Sequence, residues 1–193
     1  MKKRNIAIFA SGSGTNAQRI IEYFSGNPKI SAALILSNKP DAYVLERAKI
    51  LNVPSVVFNR HSFYETDEIT GLLKKFGIDF IVLAGFLWMI PVNLILAYPG
   101  RIINIHPALL PKYGGKGMYG ACVHEAVIQS GDKESGISIH YVNEKYDEGN
   151  IIFQAKCEVL PGDTPETLAQ RIHQLEYKHY PEVIEKLVLG LKN

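Results

Sequence analysis

The chain has 193 residues, a mean hydropathy near zero and a formal net charge of +2, which is too small to indicate nucleic acid or an anionic membrane surface as a partner. Its longest apolar stretch, residues 80–91, is shorter than the roughly 20 residues that span a bilayer. Its first apolar run, residues 6–10, is too short for a signal peptide. Two cysteines without a CxxC spacing, Cys122 and Cys157, indicate no disulfide framework. A cytoplasmic protein with a single domain over residues 1–193 is expected.

Short apolar runs alternate with segments of helical period through the first half of the chain. The predicted strands cover residues 6–10, 32–36, 53–58, 79–84 and 102–105. The predicted helices cover residues 15–25, 43–51 and 65–76, and a fourth begins at Pro91 and ends near Tyr98. Strands that are apolar on both faces and alternate with helices are typical of a parallel sheet covered on both sides. Residues 1–105 are therefore predicted to form a Rossmann-like, mainly parallel α/β part that binds phosphate.

The second half, residues 106–193, follows a different pattern. A long loop over residues 107–120 holds two prolines and four glycines, and long loops in compact domains are often functional. A helix is predicted over 121–130, and then two strands, 136–142 and 150–157, follow each other without a helix between them, which indicates an antiparallel hairpin. A long final helix is predicted over 165–189.

A glycine-rich loop joins the first predicted strand to the first predicted helix. It reads Ser-Gly-Ser-Gly-Thr-Asn over residues 11–16, where backbone N–H groups and a helix N-terminus can bind an anion. Gly12, Gly14 and Ala17 also fit the dinucleotide fingerprint, but that motif requires an acidic residue at the end of the second strand. Asp41 lies beyond that strand end, so a phosphomonoester fits the loop better than NAD.

Asn104 and His106 point to the same face of the fifth predicted strand, because side chains alternate along a strand. They lie at its carboxyl end, where open parallel sheets bind their ligands. An amide and an imidazolium could stabilise a developing oxyanion together, although a histidine in such a place is often an ordinary core or surface residue. The pair Cys122 and His124, on an apolar helix, is interpreted as structural. No nucleophile elbow, P-loop or HExxH motif is present.

These residues resemble the phosphoribosylglycinamide formyltransferase family, also called glycinamide ribonucleotide transformylases. The matching segments are SGSGTN at 11–16, VLAGFLWMI at 82–90, NIHPALLPKYGG at 104–115 and YDEGNIIFQ at 146–154. The resemblance implies an α/β formyltransferase fold with a C-terminal antiparallel hairpin and a long final helix. It also implies the transfer of a formyl group from 10-formyltetrahydrofolate to the amine of glycinamide ribonucleotide, in purine biosynthesis. No metal is implied, and the expected partners are the two small-molecule substrates, without nucleic acid or membrane, for a monomer or weak homodimer.

The resemblance also implies three sets of site residues. The catalytic residues would be Asn104, His106 and Asp147, and Asp147 is expected to raise the pKa of His106 and favour the imidazolium. From the sequence alone, Asp147 could equally cap a turn. The residues expected to bind the ribonucleotide are Gly12, Ser13, Gly14, Thr15, Asn16, His173 and Glu176. The residues expected to bind the folate are Arg60, His61, Leu87, Trp88, Met89, Ile90, Asn104, Val142, Asn143 and Glu144.

Several points stay open at the level of the sequence. Trp88 stands where the family often has arginine, residues 116–119 depart from a commoner histidine-containing version, and either Arg60 or His61 could reach the folate. The alternatives are another 10-formyltetrahydrofolate enzyme (a hydrolase or a methionyl-tRNA formyltransferase), or a dinucleotide-binding reductase. The first two usually carry a further domain, and a reductase would leave Asn104, His106 and Asp147 without a role.

Overall fold

The computed structural model describes residues 3–191, which form one seven-stranded sheet flanked by helices. The strands are β1 Arg4–Phe9, β2 Ile30–Ser37, β3 Ser55–Val57, β4 Ile78–Leu83, β5 Ile102–His106, β6 Glu134–Tyr141 and β7 Ile151–Glu158. The helices are α1 Thr15–Tyr23, α2 Val44–Ile50, α3 Arg60–Tyr64, α4 Glu68–Lys75, α5 Val92–Ala97, α6 Ala121–Ser130 and α7 Pro165–Leu189. The strand order in the sheet is β3-β2-β1-β4-β5-β6-β7.

The first five strands pair in parallel, as the alternating pattern predicts. Every residue of β4 is buried, and apolar clusters lie on both faces of the sheet. Because β1 and β4 are neighbours although α1 to α4 separate them in sequence, the chain changes direction across the sheet at this point. Ligands of open parallel sheets bind at such a switch point, outside the carboxyl ends of the strands.

The sheet is extended by the predicted hairpin, whose strands β6 and β7 are antiparallel to each other. Strand β6 also pairs antiparallel with β5, and this register places His140 directly opposite Asn104. The side chains of a directly opposed pair lie on the same face of the sheet. The hairpin therefore brings a second histidine to the face that carries Asn104.

Three details of the first half differ from the sequence prediction. The helix predicted over 65–76 is the shorter α4, and it is preceded by an unpredicted helix, α3, which a capping box of Asn59 and Ser62 starts at Arg60. The strand predicted over 53–58 shortens to the three residues of β3 at the sheet edge. Pro91 precedes α5 as its N-cap, with extended backbone angles, and is not the first helical residue.

The final helix α7 spans the range predicted for it. It begins with a capping box formed by Thr164 and Thr167 and with Pro165 in its first turn. Its buried face includes Tyr180, whose hydroxyl donates to the carbonyl oxygen of Leu83 at 2.8 Å and so fixes the helix to the end of β4. Glu176 lies one turn before Tyr180 on the same buried face. Between residues 3 and 191, no helix combines the length and apolarity that crossing a membrane requires.

Candidate active site

A cavity of about 690 Å³ opens at the carboxyl ends of β1, β4 and β5. Its walls come from the glycine loop 11–16, from residues 83–90 after β4, from the loop 115–120 and from the turn after β6. Asn104 and His106 both face this cavity, as their alternation along the strand predicts. The space therefore joins the glycine loop, the strand-end pair and the hairpin turn in one site.

The side-chain amide of Asn104 contacts two polar groups at the cavity wall. Its Nδ2 lies 3.2 Å from Nε2 of His140 and 3.4 Å from Oδ1 of Asp147. The Nδ1–H of His140 donates to the carbonyl oxygen of Tyr141 at 2.8 Å, which directs its Nε2 toward Asn104 and Asp147. Both contacts of Asn104 are longer than an average N–H···O hydrogen bond, which leaves the amide able to exchange them for a ligand.

His140 is the site residue that the sequence prediction missed. It is 2% exposed, and its Nε2 lies 3.5 Å from Oδ1 of Asp147. The signal that could have found it is the pairing of β6 with β5, which sets His140 opposite Asn104.

Asp147 lies in the turn after β6, where it contacts three elements of the site. Its Oδ2 accepts a hydrogen bond from the backbone N–H of Gly115 at 3.0 Å and lies 3.6 Å from Nδ1 of His106. Burial by itself raises the pKa of the Asp147 carboxyl, but His140, His106 and the Gly115 N–H together lower that pKa below its usual value. Asp147 therefore stays ionised at neutral pH in the wall of the cavity.

Asp147 raises the pKa of His106, as expected, but it does not set the net direction of the shift, which is downward. His106 is 3% exposed, and burial lowers its pKa by more than the attraction of Asp147 and the carbonyl of Tyr113 raise it. The separation of 3.6 Å between Nδ1 and the carboxylate is too long for a strong ion pair. The Nε2–H of His106 donates to the carbonyl oxygen of Tyr113 at 2.7 Å, so the ring is neutral with Nδ1 as its free base.

The glycine loop approaches α2 closely. Gly14 has φ +74°, and a Cβ atom there would lie 2.5 Å from Cβ of Val44, so only glycine fits. Ser11 holds the loop in place, since its hydroxyl donates to Oδ1 of Asn38 at 2.6 Å and accepts from the N–H of Leu87 at 3.0 Å. Helix α1 starts without a side-chain cap, and its first N–H groups have no partner within the helix. The loop therefore offers an anion the environment that the sequence predicts.

Glu176 connects the glycine loop with α7. Its Oε2 accepts from Nδ2 of Asn16 at 2.9 Å and from Nδ1 of His173 at 2.9 Å. Glu176 is 4% exposed, and its hydrogen bond raises the pKa of His173 although burial opposes this. Three residues predicted to bind the ribonucleotide thus meet at one end of the cavity, and one amide hydrogen of Asn16 is already donated to Glu176.

The other end of the cavity has an apolar wall. Most of the residues predicted to bind the folate line the cavity, namely Leu87, Trp88, Met89, Ile90, Asn104, Val142 and Asn143. Arg60, His61 and Glu144 lie outside this lining. The guanidinium of Arg60 stacks 5.0 Å from the ring centre of Trp88, whereas Nδ1 of His61 faces Glu65 at 2.9 Å. Of the two residues left open by the sequence, Arg60 is the one that contacts the cavity wall.

Residues 3–191 contain no group of three or more His, Cys, Asp or Glu side chains placed to hold a metal ion.

The sequence profile of the formyl transferase family matches residues 4–184. The chain belongs to this family. It is 42% identical over 198 residues to the phosphoribosylglycinamide formyltransferase of Bacillus subtilis, and this alignment covers all of this chain and 97% of that protein. It is 44% identical over 189 residues to the chloroplastic phosphoribosylglycinamide formyltransferase of Arabidopsis thaliana, covering 95% of this chain. The chain spans only 65% of the Arabidopsis protein and 62% of the similar Vigna unguiculata protein.

Solved structures of the family share the fold. The phosphoribosylglycinamide formyltransferase of Bacillus halodurans superposes with a TM-score of 0.86 at 38% identity, over 98% of each chain. The glycinamide ribonucleotide transformylase 1 of Symbiobacterium toebii superposes with a TM-score of 0.88 at 34% identity, over 97% of this chain and 89% of that one. The predicted fold class, a mainly parallel α/β sheet with a C-terminal hairpin and a long last helix, is confirmed.

Proposed function

We propose that this family member transfers the formyl group of 10-formyltetrahydrofolate to the amine of glycinamide ribonucleotide. The products are formylglycinamide ribonucleotide and tetrahydrofolate. The observation that carries the proposal is the meeting of Asn104, His106 and Asp147 between a glycine loop and an apolar wall. Relatives that match nearly the whole chain are named for the same activity. The protein would act on these two small molecules in the cytoplasm, as a monomer or weak homodimer.

The ribonucleotide would bind at the Glu176 end of the cavity. The backbone N–H groups at the start of α1 suit its phosphate, because a helix N-terminus carries a partial positive charge. The residues assigned to phosphate are Gly12, Ser13, Gly14, Thr15 and Asn16. The buried carboxyl group of Glu176 and His173, which is hydrogen-bonded to it, would contact the ribose and glycinamide portions. This orientation extends the substrate's amine toward His106.

The folate would bind at the opposite end. Leu87 to Ile90 and Val142 offer apolar surface and backbone groups for a flat pteridine ring, and the edge of Asn143 completes this wall. Arg60, stacked on Trp88, would attract the carboxylates of the folate tail. The formyl group would then lie at Asn104, the residue shared by both halves of the site.

The reaction needs one proton to move from the attacking amine to N10 of the folate. As the amine attacks, the formyl oxygen gains negative charge, and the amide of Asn104 would exchange its long contacts with His140 and Asp147 for a shorter hydrogen bond to that oxygen. The amine nitrogen becomes positive, and Nδ1 of neutral His106 would accept its proton. The C–N10 bond then breaks, and His106 returns the proton to N10.

Asp147 would stabilise the intermediate protonation state. The imidazolium that forms on His106 faces the Asp147 carboxylate, which is ionised in the resting site. The Gly115 N–H keeps that carboxylate directed at His106. A neutral resting histidine with an anion beside it accepts a proton when the reaction produces one and returns it afterwards.

The test is a turnover assay with the purified protein, 10-formyltetrahydrofolate and glycinamide ribonucleotide. Formylated ribonucleotide and tetrahydrofolate are expected in equal amounts. Release of formate without the ribonucleotide would indicate a hydrolase, and NADH binding without formyl transfer would indicate a reductase. Either result would contradict the proposal.

A further inference from the structure

His124, on the buried side of α6, is a histidine of the cavity wall that the proposed reaction leaves without a role. It is 4% exposed, and its ring lines the cavity. Its Nδ1 is buried and has no hydrogen-bond partner among residues 3–191. Its Nε2 also takes part in no hydrogen bond within these residues, so the ring carries a hydrogen-bonding group that the protein itself does not use.

The position of His124 relates it to both ends of the ribonucleotide site. It interacts electrostatically with His173, Glu176 and His106. Burial, His173 and His106 lower the pKa of His124, and only Glu176 opposes them. The ring is therefore neutral at neutral pH and carries one proton on one of its two nitrogens.

The burial of Nδ1 decides where that proton lies. An N–H group with no acceptor is costly in a buried place, so the proton is better placed on Nε2. Nε2 is not among the buried unpartnered atoms, as Nδ1 is, so we infer that the ring meets the cavity through Nε2. His124 thus offers the cavity a neutral hydrogen-bond donor.

We propose that His124 binds substrate, with its Nε2–H donating a hydrogen bond to an oxygen of the ribose–glycinamide portion of the ribonucleotide. The inference rests on the proposed function and extends it to a residue of α6. The neighbouring residues Glu176 and His173 already pair with each other. The Nε2–H of neutral His124 is a suitable donor for a neutral ribose or amide oxygen.

The experiment compares three variants in steady-state kinetics with both substrates. His124→Leu removes the donor and leaves an apolar side chain of similar size. His124→Gln places an amide near the position of Nε2. Glu125→Gln, the control, changes an exposed neighbour on the same helix. We expect the KM for glycinamide ribonucleotide to rise ~10-fold in His124→Leu, the usual effect of one lost hydrogen bond. The KM for 10-formyltetrahydrofolate should stay within about twofold. His124→Gln should recover part of the loss, and Glu125→Gln should match the wild type.

Other outcomes would overturn the inference. If His124→Leu leaves both KM values unchanged, or raises both equally, the histidine is part of the packing and not of the binding site. If wild-type protein forms no formylated ribonucleotide, the proposed function fails, which is a different result. Should His124→Leu not fold, ¹⁵N NMR of the wild-type histidines decides: the ribonucleotide should shift the Nε2 resonance of His124, and inorganic phosphate alone should not. An unshifted resonance in both titrations would contradict the inference.

Discussion

Each end of the cavity holds a carboxylate with a side chain that is at most 12% exposed, beside a histidine, yet the pKa values of the two histidines shift in opposite directions. His106 lies 3.6 Å from Asp147 with its side chain 4% exposed, and its pKa is lowered. His173 lies 2.9 Å from Glu176 with its side chain 44% exposed, and its pKa is raised. Distance and burial, and not the pairing of residue types, decide the direction in which each histidine's pKa shifts.

This difference suits the two tasks that we assign to the ends. A neutral imidazole at the reacting end can accept a proton from the attacking amine, whereas an imidazolium there could only donate. At the binding end, His173 donates a hydrogen bond to the Glu176 carboxylate and holds it in place. We therefore expect changes at the reacting end to alter kcat, and changes at the binding end to alter the KM for the ribonucleotide.

The largest expected effect lies at the reacting end. His106→Ala and Asp147→Ala should fold normally and each lose at least ~100-fold in kcat, the usual scale for a general acid–base group. Asp147→Asn, which keeps the shape but removes the charge, should show a similar loss. Glu148→Gln, at the exposed neighbour that pairs with Lys145, is the matched control. If Asp147→Asn keeps wild-type kcat, the role of this carboxylate is wrong.

An intermediate effect is expected at the binding end. Glu176→Gln keeps the side-chain volume but weakens the hydrogen bonds from Asn16 and His173, so the KM for glycinamide ribonucleotide should rise about 10- to 100-fold. The matched control is Glu182→Gln, on the exposed side of the same helix. Steady-state kinetics with saturating 10-formyltetrahydrofolate measure the change. An unchanged KM would separate Glu176 from ribonucleotide binding.

The smallest effect concerns stability and pH. Because the pKa of His173 is raised in the folded state, its contribution to the free energy of unfolding is complete below a pH of about 6.5 and is lost as the pH rises through the raised pKa. His106, whose pKa is lowered, contributes in the opposite sense, since its stabilisation is lost as the pH falls below about 6.5.

His173→Gln should therefore remove stability at pH 5.5 but little at pH 8.5. The change should be only about 0.5 kcal/mol, because the ring is nearly half exposed and water screens the pair. Urea unfolding at the two pH values measures it, with Gln174→Asn at the exposed neighbour as the control. A loss that is equal at both pH values would indicate lost packing and not lost charge.

The sequence predicted the local features of this molecule better than its long-range ones. Helices α6 and α7 begin and end as predicted, because their apolar periods and the Thr164–Pro165 start are local signals. His140 was not predicted, because its place in the site depends on the pairing of β6 with β5, which no local pattern encodes.

The charge of His106 could not be predicted for a related reason. The direction of its pKa shift depends on how deeply the ring is buried and on its distance from the carboxylate, which is 0.7 Å longer than in the His173–Glu176 pair. Both arise only from the tertiary packing. The neighbouring residue types alone indicated a raised pKa.

The most direct test of this division of labour measures Asp147→Asn and Glu176→Gln side by side in formyl transfer to glycinamide ribonucleotide. The account predicts that kcat falls at least ~100-fold in Asp147→Asn, with the KM for the ribonucleotide nearly unchanged. It predicts the reverse for Glu176→Gln, a raised KM with kcat nearly retained. If both variants lose kcat and KM alike, the two ends do not have separate roles, and the account is contradicted.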